Sequence, residues 1–106
     1  MEKYILVLIT ASSLQEGEKI GSELVKHGLA AGFNIIPEIK TIFKWKGEIC
    51  KEKEVLLLVK SKASLFKKLE QRVKKLHSYA VPEIIAFPIE SGLMDYFKWM
   101  DEVLKA

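Results

Sequence analysis

Few side chains in this sequence combine reactivity at neutral pH with scarcity: two histidines, His27 and His77, one cysteine, Cys50, and one arginine, Arg72. A lone cysteine excludes both an intramolecular disulfide framework and a metal centre built from several cysteines of one chain. His77 stands where a helix should close, and an imidazolium there suits the negative end of the helix dipole. The same position leaves a binding-cleft role and a metal-ligating role open. Tyr79 and Glu83 flank Pro82 in a loop, the kind of segment on which binding residues concentrate; a structural hydrogen-bonding role is equally open. Trp45 is either an interface anchor or a platform on which a ligand stacks. Cys50 is an incidental thiol among charges or a trap for a soft metal. His27 falls on the polar side of a helix and is given no role.

The elements that must position these residues can be read in order. Tyr4 to Ile9 is a continuous apolar run, the mark of a central strand covered on both faces. Ser13-Leu-Gln-Glu16 matches a capping box, and the helix after it sets Ile20, Leu24 and Ala31 along one side before running out near Gly28 to Gly32. Phe33 to Lys46 reads as a second strand with a bulge or edge position at Pro37, because proline cannot donate to the ladder. Lys46-Gly47 makes a tight turn, and Glu48 to Lys60 returns as the third strand. A second helix spans Lys62 to His77, with Ser61 as N-cap and Leu65, Phe66, Leu69, Val73 and Leu76 at helical spacing. Pro82 introduces a fourth strand, Ile84 to Ile89. Leu93, Phe97, Met100 and Leu104 mark a last helix starting near Ser91. The order is βαββαβα, an α/β (α+β) fold of the ferredoxin-like split βαβ pattern with an added C-terminal helix.

Composition bounds the rest. The chain has 106 residues, 49% hydrophobic and 29% charged, the balance of one globular domain over residues 1–106. Its 17 basic and 14 acidic residues leave a net charge of +3, too small an excess to predict nucleic acid or an anionic membrane as partner. Lys67, Lys68, Arg72, Lys74 and Lys75 cluster on the second helix around Glu70, as a solvated face or as a phosphate-binding patch. Glu2 and Lys3 precede only a short apolar run, unlike a signal peptide, and no stretch reaches the roughly 18 apolar residues of a membrane span. A cytoplasmic protein is expected.

Two paired strands of about 13 residues at roughly 3.3 Å per residue span about 43 Å, whereas a compact domain of this size has a diameter of about 33 Å. The long β2-β3 hairpin must therefore overshoot its own domain. Phe43, Trp45 and Ile49 near its tip would stay wet in a monomer, and burying each aromatic is worth about 1.5–3 kcal/mol. A homo-oligomer follows, with these three residues at its interface.

Four segments now matter: Gly28-Leu-Ala-Ala-Gly-Phe-Asn-Ile-Ile-Pro37, Phe43-Lys-Trp-Lys-Gly-Glu-Ile49, Glu54-Val-Leu-Leu-Leu-Val-Lys-Ser61 and His77-Ser-Tyr-Ala-Val-Pro-Glu-Ile84. In order and spacing they resemble the CutA divalent-cation tolerance family, over nearly the whole chain. The resemblance implies an interlocked homotrimer of ferredoxin-like protomers, with a role in divalent-metal, notably copper, tolerance or binding and no defined reaction. It also implies similarity to the PII signalling proteins, which gives the alternative expectation of a small-molecule effector bound in a cleft between subunits. Asn34, Trp45, Glu54, Lys60, His77, Tyr79, Pro82 and Glu83 would gather near that cleft. Where family members credited with copper binding carry cysteine and a second histidine, this chain has Ile9 and Leu76; Gly32 and Ser78 replace a recurring cysteine and proline. Copper favours thiolate and imidazole, so the resemblance predicts at most a weak divalent-metal (copper) site, with His77 as its one remaining imidazole.

Other functions of a ferredoxin-like chain lack their residues. An acylphosphatase needs an arginine at the loop after the first strand, here Thr10 to Gln15, and Arg72 lies on the second helix. A heavy-metal chaperone needs C-x-x-C in that loop. An RNA-binding domain needs aromatics on the first and third strands, which are aliphatic here apart from Tyr4. No Ser/His/Asp set or carboxylate pair is evident from spacing, and no enzyme is expected.

Overall fold

A computed structural model describes residues 3–105, so Glu2 lies outside the described residues. The chain runs β1 (Tyr4–Ala11), α1 (Leu14–Lys26), β2 (Gly32–Trp45), β3 (Glu48–Lys62), α2 (Phe66–Leu76), β4 (Ile84–Pro88) and α3 (Met94–Val103). The four strands form one antiparallel sheet in the order β2-β3-β1-β4. The expected element order is found, and β1 is central, but its pattern of cover differs from the expectation.

Alternate residues along a strand face opposite sides. Val7 and Ile9 on β1 and Leu57 and Val59 on β3 are fully buried beneath α1, which packs on this side of the sheet and on α2, and Leu69 and Val73 of α2 join the same core. The intervening residues share the other face. Leu6 stands opposite Lys60 and Phe87, and Leu8 opposite Leu58 and Ile85. On that side Leu6, Leu8, Leu56 and Leu58 are only half-buried, while Ile36, Ile85 and Phe87 are 42%, 46% and 48% exposed. The apolar run of β1 is thus covered by the chain's own helices on one face alone. α3 closes only one end of the second face, where the Phe97 and Tyr4 rings stack at 4.2 Å.

The boundaries correct several expectations. β1 extends two residues past Ile9, to Ala11. Ser13 caps α1 by accepting from the Glu16 N–H at 3.1 Å, but the Glu16 carboxylate returns to Ser12, not Ser13. Ala31 is not on α1, which stops at Lys26 with Gly28 in the left-handed region; its N–H instead donates to the Lys60 carbonyl. Ser61 does not cap α2. It belongs to β3, fully buried, and its hydroxyl donates to the Leu29 carbonyl at 2.7 Å, while a turn of 3-10 helix at Ala63–Leu65 leads into α2. α3 begins at Met94 and not near Ser91, and β4 ends at Pro88, with Ile89 donating one further bond to the Tyr4 carbonyl.

The hairpin follows the sequence. The register between β2 and β3 shifts between Ile36 and Ile39, around Pro37, as the missing donor requires. Lys46 and Gly47 both have positive φ, 51° and 82°, the two-residue turn whose twist suits antiparallel strands. The molecule measures 44 × 25 × 23 Å, and its long axis equals the span expected for the hairpin. Phe43, Trp45 and Ile49 are 38%, 48% and 71% exposed. Among the described residues no helix is long and apolar enough to cross a membrane.

Candidate functional site

The loop that follows α2 returns over the C-terminal end of β1 and is fastened there by hydrogen bonds. α2 ends because the His77 backbone turns extended. The His77 ring is then drawn inward, where its Nε2 lies 2.7 Å from the Thr10 carbonyl and its Nδ1 accepts from the Tyr79 N–H at 3.1 Å. A carbonyl can only accept and an N–H can only donate, so this pairing is that of the neutral Nε2–H tautomer. Both ring nitrogens are spent within the chain. His77 closes α2 as expected, its backbone N–H donating to the Val73 carbonyl, and its ring ties loop to strand.

Glu16 ties the same loop to α1. One carboxylate oxygen accepts from the Ser12 N–H and hydroxyl at 2.9 and 2.8 Å, and the other from the Ser78 N–H at 2.8 Å. Partial burial works to raise the pKa of this carboxyl, but the bonds from Ser12 and Ser78 outweigh it and hold the pKa down at about 2. Tyr79 completes the arrangement. Its hydroxyl donates to Glu54 Oε2 at 2.7 Å, and its ring lies 4.8 Å from that of His77. Burial first, and then the bond to the Glu54 carboxylate, push the phenol above its ordinary range. Glu54 itself is 6% exposed; the phenol hydrogen bond is what satisfies that buried acceptor.

Above this cluster opens a cavity of about 530 Å³ between the hairpin and the loop. Phe43, Trp45 and Val81 give it an apolar wall, and Cys50, Glu52 and Glu54, spaced two apart on β3, give it a row of soft and hard donors. Successive members of that row stand about 6.6 Å apart along the strand, too far for all three to reach one ion at the roughly 2.0–2.3 Å of metal–ligand bonds. Among the described residues no group of three His, Cys, Asp or Glu side chains could hold a metal ion. Among the described residues, this row alone does not close around one ion.

The eight residues expected to gather at a cleft fall into separate places within one chain. Trp45, Glu54, His77 and Tyr79 come together at this cavity and beneath it. Asn34 and Lys60 pair with each other on the open sheet face, six residues along β3 from Glu54, or about 20 Å; burial lowers the pKa of Lys60. Pro82 lines a neighbouring hollow beside Lys74, and Glu83 is exposed. Ser12, Glu16 and Glu52 belong to the site and were not expected there. For Glu16 the capping-box spacing hid the second use of the carboxylate, which bonds to a residue 62 positions away.

The chain is similar over nearly its whole length to known proteins. The family model described as CutA1 divalent ion tolerance protein matches residues 5–103. A divalent-cation tolerance protein CutA of Thermus thermophilus is 45% identical over 92% of this chain and 94% of its own length, and one of Archaeoglobus fulgidus is 41% identical over 93% and 96%. A Thermus thermophilus structure described as divalent cation tolerance protein superposes with a TM-score of 0.93 at 44% identity, covering 99% of this chain and all of that one. The rice CutA1 crystal structure gives 0.94 at 33% identity, covering 97% and 94%.

Proposed function

Since the chain belongs to the CutA1 divalent ion tolerance family, we propose that it serves divalent-metal tolerance as a non-enzymatic homotrimer of ferredoxin-like protomers. In this reading it meets copper or another divalent cation as cargo, at low affinity. The observation that carries the reading is the half-built cavity at the hairpin. Cys50, Glu52 and Glu54 present donors there that one chain cannot close around an ion, beside aromatics that one chain leaves wet. A neighbouring chain supplies both missing parts.

The uncovered sheet face supports self-association independently. Ile85 and Phe87 alone, each about half exposed, stand to gain roughly 1 kcal/mol apiece on burial, and the face continues across Leu8, Leu58 and Ile36. The alternating βαββαβ order with strand order β2-β3-β1-β4 supports the ferredoxin-like description. A cytoplasmic location belongs to the same reading, although relatives include a chloroplastic protein of Arabidopsis thaliana and an Archaeoglobus fulgidus structure described as periplasmic. A small-molecule effector in the cleft is not favoured by relatives described through divalent-cation tolerance.

Calorimetric titration of the assembled protein with copper and zinc tests the proposal, alongside growth in copper of cells lacking the gene. The reading expects binding weaker than micromolar, lost when Glu52 and Cys50 are both replaced, and a lower copper tolerance restored by the intact gene. Micromolar or tighter copper binding at one site in each chain, insensitive to those replacements, contradicts the shared site. Unchanged tolerance contradicts the function.

A further inference from the structure

A second cavity, of about 280 Å³, opens between the C-terminal end of α1, the flank of α2 and the tail after α3. Five basic side chains line it, His27, Lys68, Arg72, Lys75 and Lys105, together with the Gln71 amide, and among the described residues no carboxylate does. They come from three separate parts of the chain. Lys68, Arg72 and Lys75 follow one another at helical spacing along one stripe of α2. His27 caps α1. Lys105 is brought alongside because its N–H donates to the Gly28 carbonyl at 2.9 Å.

Two observations set this cluster apart from an ordinary solvated face. Among the described residues, none of Lys68, Arg72, Lys75 and Lys105 is paired with a carboxylate; the one nearby ion pair, Glu23 with His27 at 3.5 Å, involves neither α2 nor the tail. Lysine and arginine at these four positions carry four charges, more than the net +3 of the whole chain, so the remaining 13 basic and 14 acidic residues sum to −1. The protein's entire positive excess converges on one concavity. Like charges so placed repel one another, and an anion among them converts that cost into attraction.

We propose that this cavity binds a compact phosphate-bearing anion of the diphosphate class. Arg72 is suited to grip two oxygens of one phosphoryl group in its planar fork, and the lysines act as point charges around the second. A diphosphate, with negative charge on six peripheral oxygens, balances four cations better than a single phosphate does. The volume, about nine times the share of one liquid water, admits that group with part of its hydration. The cavity lies on the helical side of the sheet, opposite the apolar face proposed to be covered by sister chains, so assembly leaves it open. The inference is independent of the metal reading.

The test is calorimetric titration of the full chain at low ionic strength with inorganic pyrophosphate and, separately, ADP. The comparison is between the native protein, the double variant Lys68→Gln/Arg72→Gln, and Lys67→Gln/Lys74→Gln, which removes equal charge from the same helix outside the cavity. Pyrophosphate should bind the native protein, more weakly as salt is raised. The cavity variant should lose affinity about tenfold or more and the control about twofold at most. Amide shifts on binding should concentrate at residues 27–29, 68–75 and 105, a readout that needs no variant. ADP binding more tightly than pyrophosphate assigns a nucleotide-borne diphosphate, and equal affinity assigns the diphosphate group alone. Absence of binding of either at millimolar concentration, equal loss in both double variants, or shifts elsewhere overturns the proposal.

Discussion

Replacing Glu16 with glutamine isolates the contribution of one carboxylate to the loop that carries His77 and Tyr79. In the native chain its two oxygens accept from Ser12 and Ser78. Glutamine keeps one oxygen and turns an NH₂ toward a second donor, so one backbone N–H is orphaned. The native pKa falls from an ordinary 4.5 to about 2, a linkage of roughly 3 kcal/mol if undiminished and about 1–2 kcal/mol once solvent screening is allowed for. The folded pKa lies below the unfolded one, so this stability is present above pH 4.5 and is lost as pH falls toward 2. Glutamine has no such titration. The gap between native and Glu16→Gln proteins should therefore be about 1–2 kcal/mol at neutral pH and should shrink by roughly 60% by pH 3. Urea unfolding at fixed chain concentration, at both pH values, measures it, the fixed concentration being needed because the proposed assembly would add to apparent stability. Equal stability at neutral pH, or a gap of the same size at pH 3, refutes the reasoning.

Tyr79→Phe removes the hydroxyl that satisfies buried Glu54 and should cost about 1–3 kcal/mol in denaturant unfolding. Because the folded phenol titrates above its ordinary range, native stability should also fall as pH rises past 10, and more so than in the variant; ultraviolet titration of tyrosinate should show one late-titrating tyrosine. Gly21→Ala should destabilise by about 1–3 kcal/mol, since a Cβ there would lie 2.4 Å from the Phe33 ring; thermal unfolding checks it. Phe87→Asp, on the open sheet face and far from the α1–α2 core, should lower the assembled fraction in sedimentation while far-ultraviolet circular dichroism keeps its native shape.

Element types were legible because their signals are local. The Lys46-Gly47 turn, the irregularity at Pro37 and the amphipathic second helix each arise from residues within a few positions of one another, and the structure shows all three, the helix running Phe66–Leu76 within the expected Lys62 to His77. Ser61 was misread because a serine before a helix looks the same whether its hydroxyl caps that helix or, as here, reaches a carbonyl 32 residues away. Tyr4 to Ile9 reads as doubly covered because an apolar run does not record which of its faces the chain's own helices reach, and here they cover only that of Ile5, Val7 and Ile9. The site was partly legible on the same grounds. Tyr79 and Trp45 stand out by type, but the Glu54–Tyr79 and Glu16–Ser78 bonds span 25 and 62 positions, and no periodicity connects them. The convergence of Lys105 with Arg72 is likewise a product of the tail docking on Gly28.

The proposed homotrimer rests on the apolar sheet face and the exposed hairpin tip, and light scattering on the purified protein at micromolar concentration tests it directly. The expected mass is about 36 kDa, three chains of 12.1 kDa. A mass of one chain would contradict it.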